Sequence, residues 1–216
     1  MLPIVRDGLV LEMHFNELNG STVYDLSGNN NHGTIYGATR VQEGFGRALL
    51  FDGVDDYVIA NTINVPYLTI SAWVKWFKFF PDGTGHAIVS NSNNAQDGYM
   101  LYQAVASPYN RIRAFVYTTS LVAFDSKTQF NTNEWYHIVL TYDGSFIKLY
   151  INGVLDNRAA QSGTIKATTN PFLIGSTYTT TGAKFNGTID EVLIYNRALS
   201  DDEIKAIYNY YMKKRM

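Results

Sequence analysis

The stretch Phe185-Asn186-Gly187-Thr188-Ile189-Asp190-Glu191-Val192-Leu193-Ile194-Tyr195-Asn196-Arg197-Ala198-Leu199-Ser200-Asp201-Asp202-Glu203-Ile204 decides the fold class. Asn186-Gly187 is a turn signal, because both residue types tolerate positive φ. It leads into an alternating run that reads as a strand. Asp190 lies inside that run, where Ile189 and Val192 imply a buried neighbourhood. A carboxylate there must be hydrogen-bonded, paired or metal-bound. The strand gives way to a helix start: Ser200 and Glu203 form a capping box, each satisfying an orphan backbone N–H. Asp201 and Asp202 suit the positive end of the helix dipole, and Lys213, Lys214 and Arg215 the negative end. Ile204, Ile207, Tyr208 and Tyr211 make an apolar stripe. The spacing predicts one short C-terminal helix over about 201–213, packed on the sandwich edge.

Working outward, Asn-Gly or Asp-Gly pairs recur at Asp7, Asn19, Asp52, Asp82, Asp97, Asp143, Asn152 and Asn186. Between them lie short runs of period two. Leu9–Phe15, Ala48–Phe51, Tyr57–Ile59, Leu68–Phe77, His86–Ser90, Tyr99–Ala104, Arg111–Thr118, Trp135–Tyr142, Phe146–Ile151 and Phe172–Ile174 all read as strands. Counting gives roughly eleven to thirteen strands with no βα alternation. The fold class is all-β, a two-sheet antiparallel sandwich. No Pro- or Ser-rich boundary and no long repeat divides the chain, so residues 1–216 read as one domain with its core at about 9–208.

Composition agrees. The chain has 216 residues, 46% of them apolar or aromatic, enough for one large all-β unit. Tyr (16) and Phe (12) are abundant, as pleated strands favour. Zero cysteines exclude disulfides and thiol catalysis. A net charge of −2, with Lys213-Lys214-Arg215 as the sole basic cluster, argues against a nucleic-acid partner. No apolar run is long enough for membrane insertion, and the first residues, Leu2-Pro3-Ile4-Val5-Arg6-Asp7, do not read as a signal peptide.

Several stretches together resemble one family. They are Asp25-Leu26-Ser27-Gly28-Asn29-Asn30-Asn31-His32-Gly33-Thr34, Ala48-Leu49-Leu50-Phe51-Asp52-Gly53-Val54-Asp55-Asp56-Tyr57-Val58, and Leu68-Thr69-Ile70-Ser71-Ala72-Trp73-Val74-Lys75. Glu134-Trp135-Tyr136-His137-Ile138-Val139-Leu140-Thr141-Tyr142-Asp143-Gly144, Leu149-Tyr150-Ile151-Asn152-Gly153 and the closing segment complete them. In this order they are similar to the laminin G-like jelly roll of the concanavalin A-like lectin/glucanase superfamily. The resemblance implies a jelly-roll sandwich and an extracellular, cell-surface or virion-surface setting. It also implies a carbohydrate-binding or adhesion role.

The same resemblance implies one structural calcium ion (Ca2+) joining the first loops to the last strand. Calcium takes six to eight oxygens from carboxylates, amides, carbonyls and water. Asp25, Asn29, Asp52 and Asp190 are the expected ligands, with Ser27 and Asn31 beside them. The loop is no EF-hand, since Asn30 and Tyr36 stand where Gly and Glu would be needed. The alternative is that Asp25 and Asp52 only make turn hydrogen bonds, and that Asp190 accepts from backbone N–H groups or pairs with an arginine.

Catalytic patterns are missing from the sequence. Glucanases of this fold need two carboxylates facing one substrate, and on a strand same-face residues are two apart. Strict alternation puts Asp190 and Glu191 on opposite faces, and likewise Asp55 and Asp56. His14, His32, His86 and His137 show no ligand spacing, and no Gly-x-Ser-x-Gly elbow is present. The chain therefore reads as a binding module and not an enzyme.

A sugar site needs an apolar ring face and directed polar groups. The non-core face of Arg111–Tyr117 offers Arg111, Arg113, Phe115 and Tyr117, and Tyr102 or His137 would extend it. Asn91-Ser92-Asn93-Asn94-Ala95-Gln96-Asp97 and Ser107-Pro108-Tyr109-Asn110 would rim it. Trp73 and Trp135 read as core, whereas Trp76-Phe77-Lys78-Phe79-Phe80 reads as an exposed apolar patch. The partner expected is a glycan or cell-surface polysaccharide. The alternatives are a protein partner, in an assembly domain of a larger surface or virion protein, or a glycan hydrolase with an unrecognised site.

Overall fold

The computed structural model describes residues 5–92, 95–177 and 183–215. Two antiparallel sheets of eight strands each face one another. The first sheet runs β14 (Val154–Ala160), β13 (Phe146–Ile151), β12 (Trp135–Tyr142), β7 (Leu68–Trp76), β16 (Asn186–Tyr195), β5 (Ala48–Asp52), β4 (Thr39–Val41), and β1 (Leu9–Met13) pairs with β16 off this path. The second runs β11 (Leu121–Asp125), β10 (Ile112–Tyr117), β9 (Tyr99–Gln103), β8 (Ala87–Ser90), β15 (Phe172–Ile174), β6 (Tyr57–Ala60), β3 (Gly33–Tyr36), β2 (Thr22–Val23).

Period-two patterning builds the core between them. Ile70, Ala72 and Val74 of β7 and Ile138 and Leu140 of β12 point inward, meeting Leu101, Ile112, Ala114 and Val116 of the opposite sheet. Trp76 belongs to this core at 1% exposure, so the expected apolar patch shrinks to Phe77 and its partly buried neighbours. Phe130, Phe79 and Phe185 surround the Trp76 ring, which gives the wide indole more contact than any surface position could.

The helix α1 (Asp201–Arg215) forms with the expected capping box: Ser200 N–H donates to Glu203 Oε2 (2.8 Å), and Glu203 N–H to Ser200 Oγ (3.3 Å). It packs on the outer face of the first sheet and not on the sandwich edge. Ile204, Ile207 and Tyr211 lie against Trp73, Val139, Tyr150, Leu193 and Tyr195, the outward residues of four adjacent strands. A stripe of large side chains buries more surface on a sheet face than along an edge.

β2, β3, β4, β11 and β14 escape the sequence reading; all but β3 are edge strands whose existence depends on a neighbour to pair with. Their side chains also seal the edges. Arg40 of β4 donates to the carbonyls of Gly20 and Thr22 beside β2, and Asn157 of β14 donates to the carbonyl of Asp125 on β11 (2.8 Å).

Candidate functional site

The alternation of β10 sends Ile112, Ala114 and Val116 into the core, leaving Arg113, Phe115 and Tyr117 on the outer face of the second sheet. Tyr102 stands directly across from Arg113, and Met100 from Phe115. Phe115 is 2% exposed and packs with Ala87 and Met100, so it is a floor and not a contact. Tyr102 and Tyr117 are half-buried above it. Arg113 forks onto Asp125, with Nε 2.6 Å from Oδ1 and Nη2 3.0 Å from Oδ2. Its hydrogen bonds to Asp125 hold the guanidinium pKa above the usual range, against a smaller opposing effect of burial. Lys166 Nζ lies 5.3 Å from the Tyr117 ring centroid. Arg111 is half-buried just before β10.

The expected rim is absorbed by the fold only in part, with Gln96 and Ser107 still exposed. Asn91 is 1% exposed, with its amide donating to Ile63 O and its Oδ1 accepting from Tyr99 N–H, and Ser92 is buried. Asn110 donates to Phe130 O. Asn93 and Asn94 lie outside the described residues.

His137 does not extend this face. It sits on β12 in the other sheet, fully buried, with its ring stacked on Trp73 (5.1 Å) and Tyr208 (6.0 Å) beneath the helix. Nε2 and Ser71 Oγ lie 2.7 Å apart, while Nδ1 has no hydrogen-bond partner. Burial alone pulls its pKa down to about 3.

The expected calcium ligands do not assemble into one shell. Asp25 Oδ1 accepts from the N–H groups of Glu12 and Ser27, and Oδ2 from Ser27 Oγ and Asn31 N–H. Those four donors satisfy the carboxylate and tie the loop to β1. Asn29 turns its amide N–H toward Leu9 O and Ser27 Oγ. Asp190 accepts from Phe45 N–H (3.0 Å) and Glu191 N–H (2.8 Å). Asp52 lies elsewhere, in a turn with Asp55 and Asp56. Among the described residues these three form the acidic group whose ligand atoms all lie within 4.8 Å of one another, and it includes neither Asp25 nor Asp190. A single ion held by all four expected residues does not fit this geometry.

One cluster is absent from the sequence reading. Between Asp190 and Leu193 the β16–β7 register shifts, and Glu191 adopts φ 53°. Such a bulge interrupts the alternation. Ile189 and Val192 both point into the core, while Asp190 and Glu191 share the outer side. There His14 Nδ1 meets Glu191, and His14 Nε2 lies 3.0 Å from Glu12 Oε1. Arg6 pairs with the far side of Glu12. Glu12, Asp190 and Glu191 are 1%, 0% and 1% exposed. Burial pulls the His14 pKa down, but the hydrogen bonds to Glu12 and Glu191 outweigh it and hold it at about 10. Burial, then the neighbouring Glu191 charge, raises the Asp190 pKa well above the ordinary carboxylate value. Gly44 permits the overlying loop to close, since a Cβ there would sit 2.5 Å from Asp190 Oδ2. The signal that could have exposed the cluster is Glu12-x-His14, a same-face pair on a strand.

A profile of the concanavalin A-like lectin/glucanases superfamily, its laminin G-like branch, matches residues 52–205. The chain belongs to this family. Comparison with curated proteins gives no match. Among solved structures, this laminin G-like domain is similar to the binding domain of Paraclostridial Mosquitocidal Protein 1, at 20% identity and TM-score 0.75, covering 95% of this chain and 53% of that one. It is similar to domain 4 of AbnA, an extracellular arabinanase from Geobacillus stearothermophilus solved with arabinotriose, at 18% identity and TM-score 0.72, covering 93% and 98%. The binding domain of botulinum neurotoxin DC, solved with rat synaptotagmin II, matches at 17% identity and TM-score 0.71, covering 96% and 52%. The laminin G-like domain thus spans about half the length of these toxin binding domains and nearly all of the arabinanase domain. At these identities the likeness establishes the jelly-roll fold.

Proposed function

We propose that this domain is a non-catalytic carbohydrate-binding module acting outside the cell or at a cell or virion surface. The observation that carries the reading is the outward group of Tyr102, Arg113 and Tyr117 on the second sheet, where half-exposed rings lie beside a guanidinium already fixed by Asp125. Rings supply an apolar plane for sugar C–H groups, and the remaining guanidinium N–H groups donate to hydroxyls. The arabinotriose bound in the AbnA domain 4 structure supports this class of ligand. A non-catalytic role is supported by the burial of Glu12, Asp190 and Glu191, which keeps those carboxylates from a substrate. The test is a glycan array followed by titration. Binding that is weakened by Tyr117→Ala and by Arg113→Ala supports the module, and turnover of any bound glycan overturns its non-catalytic part.

Within this reading, a calcium ion is proposed only at Asp52 with Asp55 and Asp56. Calcium should raise the melting temperature of chelator-stripped protein, and an Asp55→Asn variant should lose that rise. No shift at millimolar calcium removes the ion from the reading.

A protein partner is the second reading, favoured by one surface. A hollow of about 250 Å³ lies against the β13–β14 turn, lined by Thr128, Ile151, Asn152, Val154, Leu155 and Asp156. Val154 and Leu155 are 68% and 41% exposed there. Concentration-dependent self-association that Val154→Asp abolishes, without any glycan binding, would move the assignment to assembly.

A further inference from the structure

The opposite end of the second sheet presents aromatic side chains that the site above does not use. Gly33 of β3 faces the core, where an added Cβ would sit 2.7 Å from Val58 Cγ1. Alternation therefore turns His32, Thr34 and Tyr36 outward together. Tyr36 lies directly across from Tyr57 of β6, and their rings stack at 4.7 Å and 12°. Lys184 Nζ is 4.9 Å from the Tyr57 centroid and is held by Ser176 Oγ at 2.8 Å, which fixes the stack from behind. At the other end of β3, Tyr24 meets His32 edge-on at 5.3 Å. Tyr24 and Tyr36 remain 52% and 48% exposed.

We propose that this strip, with Tyr24 and His32 at one end and Tyr36 and Tyr57 at the other, is a second binding site for an extended, uncharged glycan chain. It rests on the glycan-binding reading but uses none of the residues of the first site. Four residues of strand separate the two aromatic stations by about 13 Å, longer than one sugar ring. Thr22 and Thr34 are exposed and pair across β2 and β3, placing hydroxyls between the stations. Exposed Asp52 and Asp55 flank the Tyr57 end. In the ion-free protein they accept hydrogen bonds from sugar hydroxyls and repel carboxylated sugars. A cross-strand tyrosine pair can exist for stability alone. That role accounts for the Tyr36–Tyr57 stack, and the bond from Asp25 N–H to His32 Nδ1 (3.0 Å) accounts for the imidazole, but both leave the exposed Tyr24 ring and the hydroxyls between without a use.

The experiment starts from the full chain carrying both Tyr117→Ala and Arg113→Ala, which disables the first site. Linear di- to hexasaccharides of glucose, xylose, mannose and arabinose are titrated by calorimetry. Residual binding is expected, strengthening from the short to the long members. Adding Tyr36→Ala should weaken it about tenfold, and Tyr24→Ala should weaken only the longer oligosaccharides. Unchanged melting temperatures in these variants separate lost contact from lost fold. If the double variant binds no oligosaccharide that the parent protein binds, or Tyr36→Ala has no effect, the strip fails and the module reading stands. If the parent protein binds no glycan, both fail.

Discussion

His14, just past β1, and Glu191 on β16 are 177 positions apart in the chain and are hydrogen-bonded beneath the C-terminal helix. With Glu12 on the other ring nitrogen, the imidazolium is the positive charge that lets two carboxylates lie buried side by side. Burying a charge is costly unless it is paired and hydrogen-bonded. Removing one partner of such a group therefore costs more than the contact itself contributes.

His14→Ala should destabilise the protein by about 3–5 kcal/mol, because buried Glu191 loses its ion-pair partner and Glu12 keeps only Arg6. Urea denaturation monitored by tryptophan fluorescence measures it. Adding Glu191→Gln should recover part of the loss. A cost of only a few tenths would show that the cluster relaxes by admitting water.

Acid should weaken the fold through His137. Its folded pKa is about 3, below the ordinary histidine value of 6.5, so the unfolded chain binds the extra proton first. The neutral buried ring contributes nothing to pH dependence above 6.5, and stability falls as pH drops from 6.5 toward 3. The sign reverses for His14, whose folded pKa is near 10: its contribution is complete below 6.5 and is lost as pH rises through 10. Melting temperature against pH should be dome-shaped, with His137→Gln flattening the acid limb and His14→Gln the alkaline one.

The helix cap is separable from the helix packing. Ser200→Ala removes the acceptor for Glu203 N–H and should cost about 1 kcal/mol. Tyr211→Ala empties a fully buried site between helix and sheet and should cost about 3–5 kcal/mol. Equal effects from the two in thermal denaturation would contradict the assigned roles.

Arg40→Ala should act on association more than on the core. Arg40 spans from β4 to the carbonyls beside β2, where both sheets end. Freed edges pair with other chains. Light scattering at raised concentration should show oligomers in the variant and not in the parent protein; monodisperse variant samples would discount this sealing role.

The candidate glycan face shows how far one strand can be read. Arg113, Phe115 and Tyr117 follow from alternation, and the structure places all three on the outer side. That Phe115 is floor, that Arg113 is already forked onto Asp125, and that Tyr24 and Tyr36 form the more exposed surface depend on neighbouring strands.

By itself the sequence determined what nearest neighbours along the chain control. Asn-Gly turns, period-two strands and the Ser200–Glu203 box each need only a few consecutive residues, and they specify an all-β sandwich ending in a helix. Tertiary structure alone decided which remote residues meet. Alternation separates Asp190 from Glu191, yet the bulge puts both on one side, and β1 then brings Glu12 and His14 against them. Likewise His137 has the polarity of a surface residue but lies under a helix that begins 64 positions later. Such burial is set by what packs above a strand, and one strand's own residues carry no record of it.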